Sequence, residues 1–326
     1  GGKSDLQQKK IFCVGNPFTR FGEDALRILR AVRFAAQLDF TIGQETKDAM
    51  CRLLGMLDGI SAERIGAEFR KMICAPYAAK AIRMNRDVLY KIVPELKLLD
   101  GCKQHNKYHK EDVFCHTITA LANAESCDRF PKEWADDPVR IALFFHDFGK
   151  PACKTADENG NDHFYGHAPV GAEIAGQVMR RLRFSNHEIE TVTQLIAHHD
   201  LEFAPTRACA RRMLNKFGPE QLRRLLKIRE CDNRAHAVAA HQRFEEQAVP
   251  FAAMLNEVLA EQPAFSLRNL AINGSDIIAL GIRPGPIIGS LLTETLDAVV
   301  EEILPNEKEA LVKFVQETLA KLANRF

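Results

Sequence analysis

The stretch Arg140 to Lys150, RIALFFHDFGK, constrains this chain more than any other. An apolar helix-forming run, Ile141 to Phe145, closes on the adjacent pair His146 and Asp147. Two ionisable side chains at the end of a buried segment are unfavourable without strong partners. A divalent cation is one such arrangement; a histidine hydrogen-bonded to a capping aspartate is the other. Further residues of ligand type bear on the choice. His116 lies in VFCHTITALANAE, His167 opens HAPVGAEIAGQVMRRL, His198 and His199 close TVTQLIAHHD, and Asp232 follows in LLKIRECDNRAH. Each stands at the edge of an apolar stripe with helical spacing, so an antiparallel helical bundle could converge them on one pocket.

On these residues the sequence resembles the HD superfamily of metal-dependent phosphohydrolases. The resemblance implies that His116, His146, Asp147 and Asp232 hold one divalent metal, and that His167 with His198 or His199 holds a second. It also implies metal-ion catalysis of phosphate-ester hydrolysis, with Asp147 bridging the ions. Imidazole and carboxylate ligands without cysteine point to Mg, Mn, Ni, Co or Fe rather than structural zinc. Lys150 reads either as a catalytic phosphate contact or as an exposed lysine at a helix C-terminus. The segment PACKTADENGNDHFYG, rich in Asn, Asp and Gly, is a loop suited to cover a pocket. Its His163 and Tyr165 are either phosphate or leaving-group contacts or parts of a plain surface loop.

A second informative stretch is Phe21 to Ile42, FGEDALRILRAVRFAAQLDFTI. Ala25, Leu29, Val32 and Ala36 recur at i, i+4, i+7 and i+11, which predicts one amphipathic helix. Glu23 and Asp24 fall in its expected first turn, where acids suit the helix dipole. Arg27, Arg30 and Arg33 recur every third residue and are expected to stay neighbours of Asp24. They read as a solvated face, or as a rigid array in which an acid and a forked donor meet a base edge.

This stretch, with the preceding VGNPFTRF, resembles the neck of the class II tRNA nucleotidyltransferases, the CCA-adding enzymes and bacterial poly(A) polymerases. The resemblance implies that Glu23-Asp24-Ala25-Leu26-Arg27 is the EDxxR motif that pairs with incoming CTP or ATP. Asp24 and Arg27 would read the base, Glu23 would position them, and Arg30 and Arg33 would meet the triphosphate. The resemblance extends through ISAERIGAEFRKMIC, where Ser61 is an expected N-cap, to the tail. There, Asn273-Gly274 reads as a turn, Ser275 as a cap and Pro284-Gly285-Pro286 as a helix start that with Arg283 could hold a phosphate. Arginine clusters at 180–183, 207–212 and 223–227 could track an RNA backbone or face solvent.

Strand signals are nearly absent, so the expected fold is all-α: a multi-domain helical array. Its expected parts are neck and body over 1–102, an HD bundle over 103–245 and a helical, RNA-binding tail over 246–326. Residues 1–22, with Gly1, Gly2 and Gly15-Asn16-Pro17, are expected to be irregular. A formal net charge of +1 gives no overall basic field, so tRNA would have to be gripped by local clusters. Nine scattered cysteines without C-x-x-C suit reduced thiols in the cytoplasm, and no apolar run is long enough for a membrane. There is no Asp-x-Asp pair and no strand-rich region to hold one. The resemblance therefore implies that a nucleotidyltransferase head lies upstream and is missing here. The expected partners are tRNA, CTP and ATP, with a homodimer compatible. Alternatives are an RNA-binding scaffold with an inert HD bundle, a poly(A) polymerase, or a stand-alone phosphodiesterase.

Overall fold

The computed structural model describes residues 2–105, 111–261 and 266–323. Gly1 lies outside the described residues. In chain order the elements are α1 (Gly2–Gln7), β1 (Lys10–Ile11), α2 (Pro17–Glu23), α3 (Leu26–Leu38), β2 (Thr41–Ile42), α4 (Gln44–Leu53), α5 (Ala62–Ile73), α6 (Ala78–Met84) and α7 (Arg86–Ile92). Then follow α8 (Val113–Ser126), α9 (Asp137–Phe145), α10 (Lys150–Cys153), β3 (Thr155–Ala156), β4 (Asp162–His163), α11 (His167–Arg181) and α12 (Asn186–Ala197). The last are α13 (Arg207–Ala235), α14 (Val238–Ala260), α15 (Gly274–Ala279), α16 (Pro286–Val300) and α17 (Lys308–Ala323). Among the described residues the fold is all-α apart from two small ladders. In these, β1 pairs parallel with β2, Lys10 opposite Thr41, and β3 pairs antiparallel with β4, Thr155 opposite His163. Among the described residues no helix is long and apolar enough to cross a membrane.

The chain forms two compact units. The first comprises Gly1–Leu201 with Arg223–Phe244, the second Glu202–Leu222 with Glu245–Phe326. In the first, the expected stripe is buried: Ala25, Leu29, Val32 and Ala36 are at most 3% exposed. Phe69 of α5 meets Phe144 at 5.5 Å between ring centroids, and Phe145 and Phe148 meet edge to face at 4.8 Å. Each fully buried ring contributes about 1.5–3 kcal/mol, so the Phe-Phe pair anchors the end of α9 firmly. That anchorage delivers His146 to the interior. In the second unit Ile272, Ile277, Leu291, Val299, Leu311 and Val315 form the core.

Several local expectations are corrected. Phe21 to Ile42 is not one helix. Glu23 ends α2, and Asp24 is extended (φ −152°, ψ 101°) before α3 begins. The break has a side-chain cause, because Asp24 Oδ1 accepts the Leu26 N–H at 3.1 Å and starts a new helix. The described residues 2–22 are not irregular throughout but form α1, β1 and most of α2. Asn16 Oδ1 accepts the N–H groups of Phe18 and Thr19, and Pro17 occupies the first position of α2. Ser61 stands at the cap of α5 but makes no side-chain cap bond. In the tail Asn273, not Ser275, caps α15, with Asp276 returning a bond to the Asn273 N–H. Within α13 the helix breaks at Gly218, whose φ of 72° and ψ of 165° only glycine adopts readily.

Candidate functional site

The first unit converges six of the expected ligands, Asp147 among them, and one that was not foreseen. His146 caps α9, His167 opens α11, His199 follows α12, His116 lies in α8 and Asp232 in α13. His116 Nε2 lies 2.9 Å from Asp232 Oδ1 and 3.5 Å from Asp147 Oδ2. His146 Nε2 lies 3.3 Å from Asp147 Oδ2 and 3.5 Å from Asp232 Oδ1. His167 Nε2 lies 3.2 Å from His199 Nε2 and 3.7 Å from Asp147 Oδ1. Three groups have ligand atoms mutually within 4.8 Å: His116, His146 and Asp147; His116, Asp232 and His236; Asp147, His167 and His199. Asp147 belongs to the first and the third, which places its two oxygens between them.

Gly149 permits this convergence. A Cβ there would sit 2.1 Å from His167 O and 2.6 Å from Gly171 N, so the turn after Asp147 presses directly on the start of α11.

The local hydrogen bonds orient the rings. The Nδ1 of His146 bonds Leu143 O at 2.8 Å, that of His167 bonds Phe164 O at 2.8 Å, and that of His199 bonds Ile196 O at 2.7 Å. A carbonyl only accepts, so each Nδ1 carries the proton and each Nε2 presents its lone pair to the centre. His146 Nε2 is buried without a hydrogen-bond partner. A buried lone pair aimed at two carboxylates fits a divalent cation. Electrostatics agree. Burial opposes their charge, yet His146 and Lys150 hold Asp147, and His236 holds Asp232, well below the usual carboxylate range. Burial would lower His146, but Asp147 and Asp232 lift it to about 10, so a proton and a cation compete for the same lone pair. Burial, with the charges of His146 and His167, lowers His199 to about 4, which leaves it neutral as a ligand must be.

His236 was missed by sequence reading; burial lowers it to about 4. Its signal was its spacing, four residues after Asp232, which puts both on one helical face. His198 is turned elsewhere, its Nδ1 bonded to Gln194 O at 2.9 Å. His199→Gln is accordingly expected to weaken divalent-metal uptake at least about tenfold, and His198→Gln to leave it unchanged, as equilibrium dialysis would measure. Lys150 is not an exposed lysine at a helix C-terminus. It opens α10, is buried, and its Nζ lies 2.8 Å from Asp147 Oδ2 and 2.9 Å from Gln104 Oε1.

A cavity of about 330 Å³ opens on this cluster, lined in part by Asp147, Lys150, Phe164, Tyr165, Arg229 and His236. Tyr165 is 79% exposed at its mouth. His163 stacks on Tyr165 and bonds Asp157 Oδ2 at 3.1 Å, away from the lining.

The second expected set divides. Arg27 bonds Glu23 Oε2 at 2.8 Å and Arg20 O at 2.7 Å, while Asp24 Oδ2 pairs with Arg64 Nη2 at 2.9 Å. Arg27 and Asp24 are therefore held by different partners, not by each other. The Arg27 bond draws the Glu23 carboxyl down; burial opposes but Arg64 lowers that of Asp24. Arg33 is turned inward to Glu68 Oε2 at 3.1 Å and stacks on Phe34, whereas Arg27 and Arg30 line a cavity of about 360 Å³ with Phe12, Phe21 and Phe34. Most of the arginine clusters meet carboxylates. Arg181 bonds Glu95 twice, Arg183 reaches Glu63 at 3.3 Å, Arg211 reaches Glu302 at 2.8 Å and Arg224 reaches Asp136 at 2.7 Å.

Comparison with known proteins defines the class. Residues 167–315 match the family model described as "tRNA nucleotidyltransferase domain 2 putative", and residues 39–99 match "Probable RNA and SrmB- binding site of polymerase A". The chain belongs to the tRNA nucleotidyltransferase family. It is 31% identical to an A-adding tRNA nucleotidyltransferase of Deinococcus radiodurans, over 98% of this chain and 74% of that protein. It is 30% identical to a CC-adding tRNA nucleotidyltransferase of Thermus thermophilus, over 95% of this chain and 70% of that protein. Its fold is that of the Bacillus stearothermophilus CCA-adding enzyme solved with CTP (TM-score 0.61, 22% identity, 100% of this chain and 69% of that one).

Proposed function

We propose that this chain serves nucleotide addition to the 3′ end of tRNA and carries a second, metal-dependent phosphohydrolase centre at its His and Asp cluster. In this reading residues 1–102 select CTP or ATP, 103–245 hold the hydrolytic centre, and 246–326 grip the tRNA. The observation that carries the hydrolytic half is the buried, unpartnered Nε2 of His146 facing two carboxylates. His116, His146, Asp147 and Asp232 would hold one divalent ion, His167 and His199 with Asp147 a second, and His236 would support Asp232. When bound, such ions polarise a phosphoryl oxygen and acidify water. The chain's own part is to orient the imidazoles through their Nδ1 bonds, hold Lys150 against Asp147, and shape a walled cavity for the ester. Hydrolysis of a 2′,3′-cyclic nucleotide and a generic phosphodiester, with Mn, Ni or Mg added, tests this half. Absence of turnover with every metal, in folded protein that has bound metal, favours an RNA-binding scaffold.

The templating half rests on Asp24 and Arg27 flanking the start of α3. Their present partners, Arg64 for Asp24 and Glu23 for Arg27, are ones that a base could displace or share. Arg30 would meet the triphosphate, while Arg33, turned to Glu68, would brace the helix. Arg27→Ala is expected to weaken CTP binding by this chain about tenfold or more, the usual loss for a hydrogen bond to a charged group. Unchanged binding in calorimetry would remove Arg27 from base recognition.

A further inference from the structure

We infer that Arg229 contacts substrate at the His and Asp centre, receiving the outer oxygens of a phosphoryl group; this deepens the phosphohydrolase reading and rests on it. Arg229 lies on α13 three residues before Asp232, hence on the same face, and lines the cavity with Lys150, Tyr165 and His236. Its side chain is only 21% exposed. Among the described residues its one polar contact is Asp232 Oδ2 at 3.9 Å, too long for a hydrogen bond. Asp232 is already engaged, since its Oδ1 lies 2.9 Å from His116, 3.5 Å from His146 and 3.9 Å from His236.

The other cavity cation stands differently. Lys150 divides its ammonium between Asp147 and Gln104 and balances a carboxylate. Arg229 has a planar fork of donors, most of its surface out of water, and no carboxylate within hydrogen-bonding range. Such a guanidinium is stabilised by an oxyanion that accepts two parallel bonds, as phosphoryl oxygens do. Asp200, also on the cavity wall, is exposed, so water dissipates its field. The position suits anchoring an ester's outer oxygens while its phosphorus faces the imidazoles.

The test titrates inorganic phosphate into the full chain, with and without manganese, by calorimetry. Wild type is expected to bind. Arg229→Gln should weaken binding at least about tenfold, and Arg229→Lys by less, because it keeps the charge and loses the fork. Bound manganese and the melting temperature should stay unchanged, and the Lys variant keeps the comparison open should the Gln variant not fold. Phosphate affinity in folded Arg229→Gln within about twofold of wild type overturns the inference, as does a wild type that binds no phosphate in either state. Failure to take up manganese instead sinks the phosphohydrolase reading, and the manganese-free titration then decides on Arg229.

Discussion

Asp147→Ala is expected to abolish metal-dependent hydrolysis and to lower divalent-metal affinity by more than about a hundredfold, since losing a mere supporting partner already gives about 10–100-fold. Its Oδ2 faces His116 and His146, and its Oδ1 faces His167. One residue thus contributes to two candidate metal groups. The substitution also strips Lys150 of its carboxylate, so Asp147→Asn is the companion variant that preserves shape. Metal content by mass spectrometry and turnover of a cyclic nucleotide are the readouts. Full metal occupancy and full turnover in folded Asp147→Ala protein would exclude the assignment.

Glu230→Ala is expected to destabilise the first unit by about 3–5 kcal/mol, the range for stranding one partner of a buried ion pair. Lys227 is 0% exposed and its Nζ meets Glu230 Oε2 at 2.8 Å, Cys127 O at 2.9 Å and Phe130 O at 3.1 Å. Glu230 Oε1 in turn accepts the Arg129 N–H at 2.6 Å. The pair therefore clasps the turn after α8 onto α13, the helix that carries Asp232. Urea unfolding checks the value. Replacing both partners by Met and Leu should recover most of the loss, because well-packed apolar groups avoid the desolvation that the ions suffer. A double variant as unstable as the single one would show that the clasp, not the stranded charge, supplies the stability.

Much of this was legible in the chain because the relevant physics is local. The burial of Ala25, Leu29, Val32 and Ala36 follows from spacing alone, and the histidines at helix ends were visible as polar residues closing apolar runs. What escaped was of two kinds. The break at Asp24 and the cap at Asn16 were written locally, in Asn-Pro and in an aspartate two residues before Leu26, but the longer apolar period overrode them. The pairings of Asp24 with Arg64 and Arg33 with Glu68 join residues 40 and 35 apart in sequence, and no spacing rule reaches that far. Burial of Lys150 was hidden for the same reason, because Gln104, 46 residues earlier, supplies its second acceptor.

The carbonyls that hold His146, His167 and His199 each belong to the residue three positions earlier. They are backbone atoms, so no side-chain substitution at Leu143, Phe164 or Ile196 can delete them. The aim of each ring is therefore insulated from most mutation and written as chain direction rather than as residue identity. Neighbouring positions are free to diverge in side chain while the imidazoles keep their bearing, which makes this centre sparse in sequence yet exact in space.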